Sequence, residues 1–210
     1  MNKLQHKQAL SVLEVLHQKA AADQILRQEL SAQAAQRNEK YKSDWTTAYL
    51  AVGPEEGEFL YFLATVAKAK NIVEFGCSFG ISTIYLAAAA KDNGGHVITS
   101  DLETTKVEGT KQNLQEAGLS DLVEIRQGDA MKTLSSIDEP IDFLFLDGAK
   151  ELYLPVFEML RPKLGPGAIV FADNADNPET FPFTEHLLSL ESEFSSVYLF
   201  DKRAFIAHVL

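Results

Sequence analysis

From Asn71 onward the sequence alternates short apolar segments with helix-forming segments, and this alternation limits the possible folds more than any other feature. The apolar segments are typical of buried strands, and glycine turns separate several of them from the helices that follow. Five such strands are predicted, at Asn71–Phe75, His96–Ser100, Leu122–Arg126, Ile141–Leu146 and Ala168–Ala172. The predicted helices between them are Ser82–Lys91, Thr104–Ala117 and Tyr153–Leu164. This order indicates an α/β fold, in which helices cover both faces of a parallel sheet.

The C-terminal segment has a different pattern. A helix is predicted at Glu185–Glu193, followed by two strand-like runs, Ser196–Phe200 and Phe205–Leu210. The charged residues at 201–203 link these two runs, and adjacent strands with a short polar link are typical of a hairpin. We therefore expect an antiparallel pair of strands at one side of the sheet.

The first 44 residues are predicted to form a helical extension of the domain at residues 45–210. Leu10, Leu13 and Leu16 recur at helical spacing, and this segment contains no glycine or proline. Residues 1–50 carry seven Lys and Arg against five Asp and Glu, whereas residues 51–210 carry 12 against 25. We expect the extension to act as a lid or a dimer contact, and we predict a homodimer.

The composition excludes several classes of protein. The 210 residues carry a formal net charge of −11, so we expect no binding to nucleic acid or to an anionic membrane. The single cysteine, Cys77, excludes an intrachain disulfide framework and a thiolate-rich zinc site. Residues 1–10 lack the apolar core of a signal peptide. We therefore expect a cytoplasmic protein.

Glycines mark the turn after the first predicted strand, in the sequence VEFGCSFG from Val73 to Gly80. Because open α/β sheets bind ligands at the carboxyl ends of their strands, this turn is a candidate binding loop. Asp101 ends the second strand, where an acidic side chain can accept hydrogen bonds from ribose hydroxyls. Asp129 follows the third strand, where it can reach an adenine amino group. These positions predict an adenosine cofactor.

The binding loop favours S-adenosylmethionine over a nicotinamide cofactor. A nicotinamide site prefers Gly-x-Gly-x-x-Gly, with a pyrophosphate at the helix N-terminus. Here Ser78 occupies the middle glycine position. The carboxylate of Glu74 would repel a pyrophosphate, but it suits a ligand that carries an ammonium or sulfonium charge.

Oxygen-bearing side chains follow the fourth and fifth predicted strands. Asp147 comes after one strand, and Asp173 and Asn174 come after the next. Neighbouring strands bring these side chains together, and such oxygen donors suit a hard divalent cation such as Mg²⁺. Lys150 lies about one helical turn after Asp147, and a partly desolvated lysine near a metal can act as a general base.

These segments together resemble the cation-dependent O-methyltransferases, the catechol and caffeoyl-CoA O-methyltransferase-like branch of the class I S-adenosylmethionine-dependent methyltransferases. The most specific part is Asp-x-x-Lys-x-x-Tyr-x-Pro at 147–155 with Ala-Asp-Asn at 172–174, and the resemblance extends from about Trp45 to the C-terminus. It implies a Rossmann-like fold whose seven-stranded, mostly parallel sheet has an antiparallel last strand. The final hairpin lacks a glycine that the family often has there, a departure that concerns the acceptor.

The resemblance also implies roles for individual residues. Asp147, Asp173 and Asn174 match the metal ligands, and Lys150 matches the proposed general base. Val52 matches a segment that lies over the cofactor. The residues predicted to bind the cofactor are Val52, Glu74, Gly76, Ser78, Ser82, Asp101, Asp129, Ala130 and Asp147.

The predicted reaction is the transfer of a methyl group from S-adenosylmethionine to a hydroxyl of a small, catechol-like acceptor, with Mg²⁺ as the divalent cation. Three alternatives stay open. A metal-independent methyltransferase for another small molecule would not respond to a chelator. A dehydrogenase on a similar sheet would bind NAD, and a non-catalytic cofactor-binding module would be indifferent to the loss of Asp147 or Lys150.

Overall fold

The computed structural model describes residues 6–37 and 45–210 and contains one seven-stranded sheet. The strand order is β3-β2-β1-β4-β5-β7-β6. The strands are β1 (Asn71–Phe75), β2 (His96–Asp101), β3 (Val123–Gln127), β4 (Ile141–Leu146), β5 (Leu164–Ala172), β6 (Phe194–Leu199) and β7 (Ala204–Val209). Strand β7 is antiparallel to both of its neighbours, and the other pairs are parallel. The predicted mostly parallel sheet and the C-terminal hairpin are therefore confirmed.

Helices cover both faces of the sheet, as predicted. They are α1 (Lys7–Gln36), α2 (Pro54–Val66), α3 (Ile81–Asn93), α4 (Thr104–Ala117), α5 (Ala130–Thr133), α6 (Tyr153–Leu160) and α7 (Phe181–Ser189). Apolar residues from α1 to α4 share one core with one face of the sheet, and those from α5 to α7 share a second core with the other face. None of the helices in the described ranges is long and apolar enough to cross a membrane.

Alternating side chains of the central strands supply these two cores. In β4, Phe143 and Phe145 pack into the first core, whereas Leu144 and Leu146 pack into the second. This division follows from the two-residue period of a strand. A strand that is apolar on both sides must be covered on both sides, which explains the three-layer architecture.

The buried apolar residues of α1 lie in its first half, and Asp23 and Arg27 further along the helix contact Tyr49. Leu13 and Leu16 are buried against the core that includes α3 and α4, whereas Ile25, Leu26 and Leu30 are exposed. The predicted domain boundary between residues 44 and 45 involves residues 38–44, which lie outside the described ranges. The division into extension and domain, and the homodimer, therefore stay predictions.

Two predicted helices have wrong boundaries. The helix predicted at Glu185–Glu193 is α7, which starts and ends four residues earlier, and Pro182 stands in its first turn, where proline is favoured. Helix α6 ends at Leu160, before the short 3₁₀ turn Arg161–Lys163, because Pro162 cannot continue an α-helix. Helix α2 was not predicted.

Candidate functional site

The carboxyl ends of four parallel strands and the start of β7 meet at one edge of the sheet. Phe75 of β1 is in register with Ser100 of β2 on one side and with Leu146 of β4 on the other. Leu146 is in register with Ala172 of β5, which in turn pairs with Phe205 of β7. The residues just beyond these positions therefore line one continuous edge.

Two glycines allow the candidate binding loop to pack closely against its neighbours, which are the loop after β4 and helix α4. Gly76 has φ +96°, and a Cβ there would lie 2.7 Å from the Cα of Gly148. Gly80 has φ +85°, and a Cβ there would lie 2.9 Å from a side-chain carbon of Thr110. Ser78, between them, is a non-glycine residue with φ 47°. The loop after β1 and the loop after β4 are therefore in direct contact, so a ligand on one lies beside groups on the other.

Glu74 is fully buried beneath this loop, and three hydroxyls satisfy its carboxylate. Ser82 donates to Oε1 at 2.6 Å, while Thr83 and Thr99 donate to Oε2 at 2.5 and 2.6 Å. Burial raises the pKa of Glu74, and the three hydroxyls act in the opposite direction. The structure therefore places Glu74 and Ser82 together, with Glu74 behind the loop. Their direct contact with a cofactor stays a prediction.

Asp101 joins the end of β2 to the binding loop. Its Oδ2 accepts the backbone N–H of Ser78 at 2.9 Å, and its Oδ1 accepts that of Glu103 at 3.0 Å. The adjacent Leu102 is 68% exposed. Sequence reasoning did not single out Leu102, which directly follows the residue predicted to bind a ribose.

Asp129 and Ala130 lie where β3 passes into α5. The carboxylate of Asp129 caps this short helix by accepting the N–H of Met131 at 3.0 Å, and Ala130 is buried. The side chain of Asp129 thus has a structural role as an N-cap. Its predicted contact with an adenine amino group stays a prediction.

The segment before α2 covers the binding loop. Tyr49 stacks on Phe79 of the loop with ring centroids 4.4 Å apart, and Asp23 of α1 accepts the backbone N–H of Tyr49 at 3.0 Å. A narrow cleft lies between this segment and the loop, and Ser78 and Ser82 are among its lining residues. The side chain of Val52 points into the core instead, so only its backbone is available to a ligand here.

Lys150 lies at the centre of a hydrogen-bonded chain. Its Nζ donates to Oδ1 of Asp147 at 2.9 Å and to the hydroxyl of Tyr153 at 2.9 Å. The Tyr153 hydroxyl donates to the backbone carbonyl of Asp173 at 3.1 Å. Burial raises the pKa of Tyr153 well above its ordinary value, so this hydroxyl keeps its proton. Tyr153 is part of the sequence motif but has no predicted role. In the structure its hydroxyl holds Lys150 in position.

Asp173 and Asn174 follow β5 in a constrained turn. Asn174 has φ 54°, a left-handed conformation that asparagine tolerates better than most residues, and its N–H donates to Oδ1 of Asp173 at 2.7 Å. The backbone N–H of Asp173 donates to the carbonyl of Leu146 at 3.1 Å, which ties this turn to the end of β4. Asp147 and Asp173 are thereby brought together, as the sequence predicted.

Two charged residues at this site escaped sequence reasoning. Arg203, directly before β7, donates from Nε to Oδ1 of Asp173 and from Nη2 to Oε2 of Glu56, both at 3.3 Å. Glu56 belongs to α2 and is only 7% exposed. The two residues are 147 positions apart, so no local pattern connects them.

The carboxylates of this site outnumber its cations. Glu56, Asp147 and Asp173 lie close together, and Lys150 and Arg203 face them. Burial and the Asp173 carboxylate raise the pKa of Glu56 to about 8, although Arg203 acts in the opposite direction. Burial raises the pKa of Asp147 to about 7, with Asp173 adding to the rise and Lys150 opposing it. The three carboxyl groups thus disfavour one another's ionised forms, and an added cation would favour those forms.

A divalent cation fits the donors present, with open positions left over. Among residues 6–37 and 45–210, no three His, Cys, Asp or Glu side chains are arranged to hold a metal ion by themselves. A cation here would rest on Asp147, Asp173 and the amide of Asn174, and would keep further positions for water or an acceptor oxygen. Mg²⁺ usually binds in this way, with few protein ligands.

Cys77 is not a nucleophile in this structure. It is buried in the binding loop, and burial together with the nearby Glu74 carboxylate raises the pKa of its thiol far above the ordinary range. The thiol therefore stays protonated, as expected of a small buried apolar residue.

Comparisons with known proteins agree with this geometry. A family model described as a methyltransferase domain matches residues 73–175. The chain is 36% identical over 129 residues to a catechol O-methyltransferase from Niastella koreensis, covering 60% of this chain and 58% of the relative. It is 34% identical over 126 residues to a catechol O-methyltransferase from Mycobacterium tuberculosis, covering 60% and 57%. The chain thus spans less than two thirds of the length of either curated relative.

The fold matches over nearly the whole chain. An O-methyltransferase from Bacillus cereus, solved in complex with SAH, superimposes with a TM-score of 0.73 and 25% identity. That alignment covers 95% of this chain and 90% of the other. The matched domain, the curated relatives and the shared sheet thus make the chain similar to methyltransferases, among them catechol O-methyltransferases.

Proposed function

We propose that the protein is an S-adenosylmethionine-dependent O-methyltransferase that methylates a small acceptor with neighbouring hydroxyls, assisted by a divalent cation such as Mg²⁺. The observation that carries this proposal is the direct contact between two loops. The loop after β1, with Gly76, touches the loop after β4, with Asp147 and Gly148. A cofactor held by the first loop would therefore lie beside the charged groups of the second.

The cofactor would bind along the ends of β1, β2 and β3. Asp101 suits a ribose, and the exposed Leu102 suits an adenine face. The methionine part would lie over Gly76 and Ser78, beneath the segment that contains Val52. The Bacillus cereus neighbour, solved in complex with SAH, supports a cofactor of this class. Ser78 Oγ is buried without a hydrogen-bond partner among the described residues, and a polar ligand group would satisfy it.

The chemistry follows from the charges at the ends of β4 and β5. When bound, S-adenosylmethionine supplies an electrophilic methyl group, and a divalent cation supplies positive charge beside the acceptor hydroxyl. Lys150 would accept the proton of that hydroxyl at Nζ as the neutral amine, having first released its own proton to solvent, while Asp147 and Tyr153 hold its position. Asp147, Asp173 and Asn174 would hold the cation. The surrounding residues align the two reactants, which is a large part of such catalysis.

A second candidate is a metal-independent methyltransferase. It is favoured by one observation, namely that Lys150 and Arg203 already pair with the two candidate metal ligands, Asp147 and Asp173. In that case the two side-chain cations would orient the acceptor by themselves. The response to a chelator distinguishes the two candidates.

We further propose that the protein is a cytoplasmic homodimer that binds neither nucleic acid nor membranes. The exposed Ile25, Leu26 and Leu30 on α1 support a subunit contact. The net charge of −11 opposes binding to anionic polymers and surfaces. Sedimentation of the full chain and of Leu26→Asp tests the dimer, since a dimer that survives this change does not use this stripe.

The reaction is tested by transfer of a labelled methyl group from S-adenosylmethionine to caffeate, with Mg²⁺ and with excess EDTA. Binding of S-adenosylhomocysteine and of NAD is measured in parallel by calorimetry. Transfer that EDTA abolishes supports the proposal, and transfer that survives EDTA supports the metal-independent candidate. Binding without transfer to any hydroxylated acceptor indicates a non-catalytic module, and binding of NAD alone indicates a dehydrogenase.

A further inference from the structure

The turn between β6 and β7 has an unusual backbone. Phe200, Asp201 and Lys202 have φ values of 51°, 54° and 71°, and none of them is glycine. A left-handed conformation costs roughly 1–2 kcal/mol for each such residue. Three in succession cannot be explained by local preference, so the surrounding structure must hold this turn in place.

The strained turn delivers Arg203 to the end of β5. The backbone carbonyl of Arg203 accepts the N–H of Ala175 at 2.6 Å. Its guanidinium then spans two carboxylates, with Nε 3.3 Å from Oδ1 of Asp173 and Nη2 3.3 Å from Oε2 of Glu56. The side chain of Arg203 is 47% exposed, so it can move without leaving a cavity.

Glu56 is the buried partner in this arrangement. Its Oε1 has no hydrogen-bond partner among the described residues, although the atom is shielded from solvent. Its carboxyl group also lies against that of Asp173. A buried oxygen without a partner is costly, and a second N–H from a guanidinium would satisfy it.

Arg203 and a divalent cation would meet at the same carboxylate. Asp173 is a candidate metal ligand, and the guanidinium of Arg203 already contacts one of its oxygens. Two positive charges within a few ångströms repel each other, so occupancy by one weakens the other. Glu56 offers the guanidinium a second carboxyl group, which Nη2 of Arg203 already contacts.

We propose that Arg203 is a built-in counter-ion that competes with the divalent cation for Asp173, and that Glu56 receives its guanidinium when the cation binds. The pair therefore sets the affinity of the site for the metal. Arg203 keeps Asp173 compensated in the metal-free protein, and Glu56 restores the charge balance afterwards. This inference rests on the cation assistance in the proposed function.

Calorimetric titration of the full-length, EDTA-treated protein with MnCl₂ tests the inference. We expect Arg203→Met to tighten Mn²⁺ binding by about tenfold, because a neighbouring positive charge is removed. We expect Glu56→Gln to weaken binding by a similar factor, because the guanidinium is then left to Asp173. The double variant, which restores the net charge, should return towards the wild-type affinity.

The chain offers a matched control for these variants. Arg161 also pairs with two carboxylates, at 3.3 Å from Glu158 and 2.6 Å from Glu193, but it lies at the end of α6. Arg161→Met should leave Mn²⁺ affinity unchanged. Binding of S-adenosylhomocysteine by each variant, compared with wild type, shows whether the variant has folded.

The outcomes separate this inference from the proposed function. If wild type binds Mn²⁺ in a manner that Asp147→Asn abolishes, but Arg203→Met binds it no more tightly, the competition is overturned and the metal site stands. If neither wild type nor Arg203→Met binds Mn²⁺, both the metal assistance and the competition are overturned. Binding by Arg203→Met alone would support the competition strongly. If Arg203→Met does not fold, Arg203→Gln replaces it with the same expected direction.

Discussion

Glu74 and Glu56 are both buried carboxylates at the same edge of the sheet, but their surroundings differ. Three hydroxyls satisfy Glu74, and these neutral donors leave no polar atom of that carboxylate exposed. Glu56 faces other carboxylates and one arginine, and one of its oxygens is unpartnered among the described residues. The Glu74 carboxylate at the cofactor end of the edge is therefore satisfied by the chain itself, whereas the carboxyl groups at the other, charged end are left to be balanced by something that binds.

The largest effect is expected at the charged end, from Lys150→Met. Removal of the proposed base should lower methyl transfer by about 10²–10⁴-fold. Cofactor binding should change far less than transfer, because Lys150 bonds to Asp147 and Tyr153 and not to the loop after β1. The measurement is the rate of labelled methyl transfer beside calorimetry with S-adenosylhomocysteine.

Lys163→Met is the control for that change. Lys163 pairs with the exposed Asp138 at 3.4 Å, in a part of the chain without candidate site residues. An equal loss of transfer in both lysine variants would contradict the role of Lys150. If Lys150→Met lost as much cofactor binding as methyl transfer, the cofactor end and the charged end would not act separately.

Gly76→Ala tests the contact that joins the two ends. A Cβ at this position would lie 2.7 Å from the Cα of Gly148, at a φ of +96°. We expect a loss of about 3 kcal/mol or more in the free energy of unfolding, from strain and overlap together. Urea denaturation of the metal-free protein measures it.

Gly94→Ala isolates the backbone contribution. Gly94 caps α3 at φ +71°, and a Cβ there meets no atom within 4 Å. Its replacement should cost only about 1–2 kcal/mol. If the two glycine variants lose the same stability, the close approach of the two loops is not what requires Gly76.

Thr83→Val tests how far Glu74, at the cofactor end, depends on its hydroxyl donors. The change removes one hydroxyl donor from the buried Glu74 carboxylate with little change in shape. We expect a loss of about 1–3 kcal/mol in the free energy of unfolding, because a charged acceptor is left short of a donor.

Thr184→Val provides the neutral comparison. Thr184 is buried, and it donates to the helix carbonyl of Phe181 at 3.2 Å. Its replacement should cost less than about 1 kcal/mol. Equal costs for the two threonines would mean that Glu74 does not depend on its hydroxyls.

The smallest effect is expected from His17, which lies neither at the cofactor end nor at the charged end of the sheet edge. Burial lowers the pKa of His17, whose ring contacts the hydroxyl of Tyr85 at 3.1 Å. The unfolded chain therefore takes up this proton at a higher pH than the folded protein does. Stability from this residue is full above pH 6.5 and is lost as the pH falls towards the lowered pKa.

His17→Gln should flatten the acid side of the stability curve by a small amount. Thermal unfolding between pH 5 and 8, in EDTA, measures the difference between the variant and wild type. A steeper fall in the variant would reverse the expected sign.

The sequence predicted the elements whose boundaries are set by local chemistry. Strand β1 and helix α4 have the predicted bounds, because Gly76 and Gly118 stop them and their apolar spacing is regular. The same reasoning failed at α7. This helix begins four residues before the predicted one, because Pro182 is tolerated in its first turn. Helix α2 is not predicted from the sequence. Its acidic and apolar residues lie close together, just after the point where the charge composition of the chain changes.

The site was predictable where its residues follow strands directly. Asp147 and Asp173 extend neighbouring strands, so their meeting follows from the order of the sheet. The meeting of Glu56 and Arg203 requires the position of α2 and the conformation of residues 200–202, neither of which has a local signature. Glu74 was placed at the right strand end, but its three hydroxyl partners come from two different elements and could not be assigned.

The turn at residues 200–202 gives the fold a simple means of diversification. Because side chains alternate between the faces of a strand, a turn longer or shorter by one residue would present a different neighbour of Arg203 to Asp173. Such a change touches no residue of the cofactor loop. Related proteins could therefore acquire a different preference for metal or acceptor through a single insertion or deletion, while the machinery for the methyl donor is inherited intact.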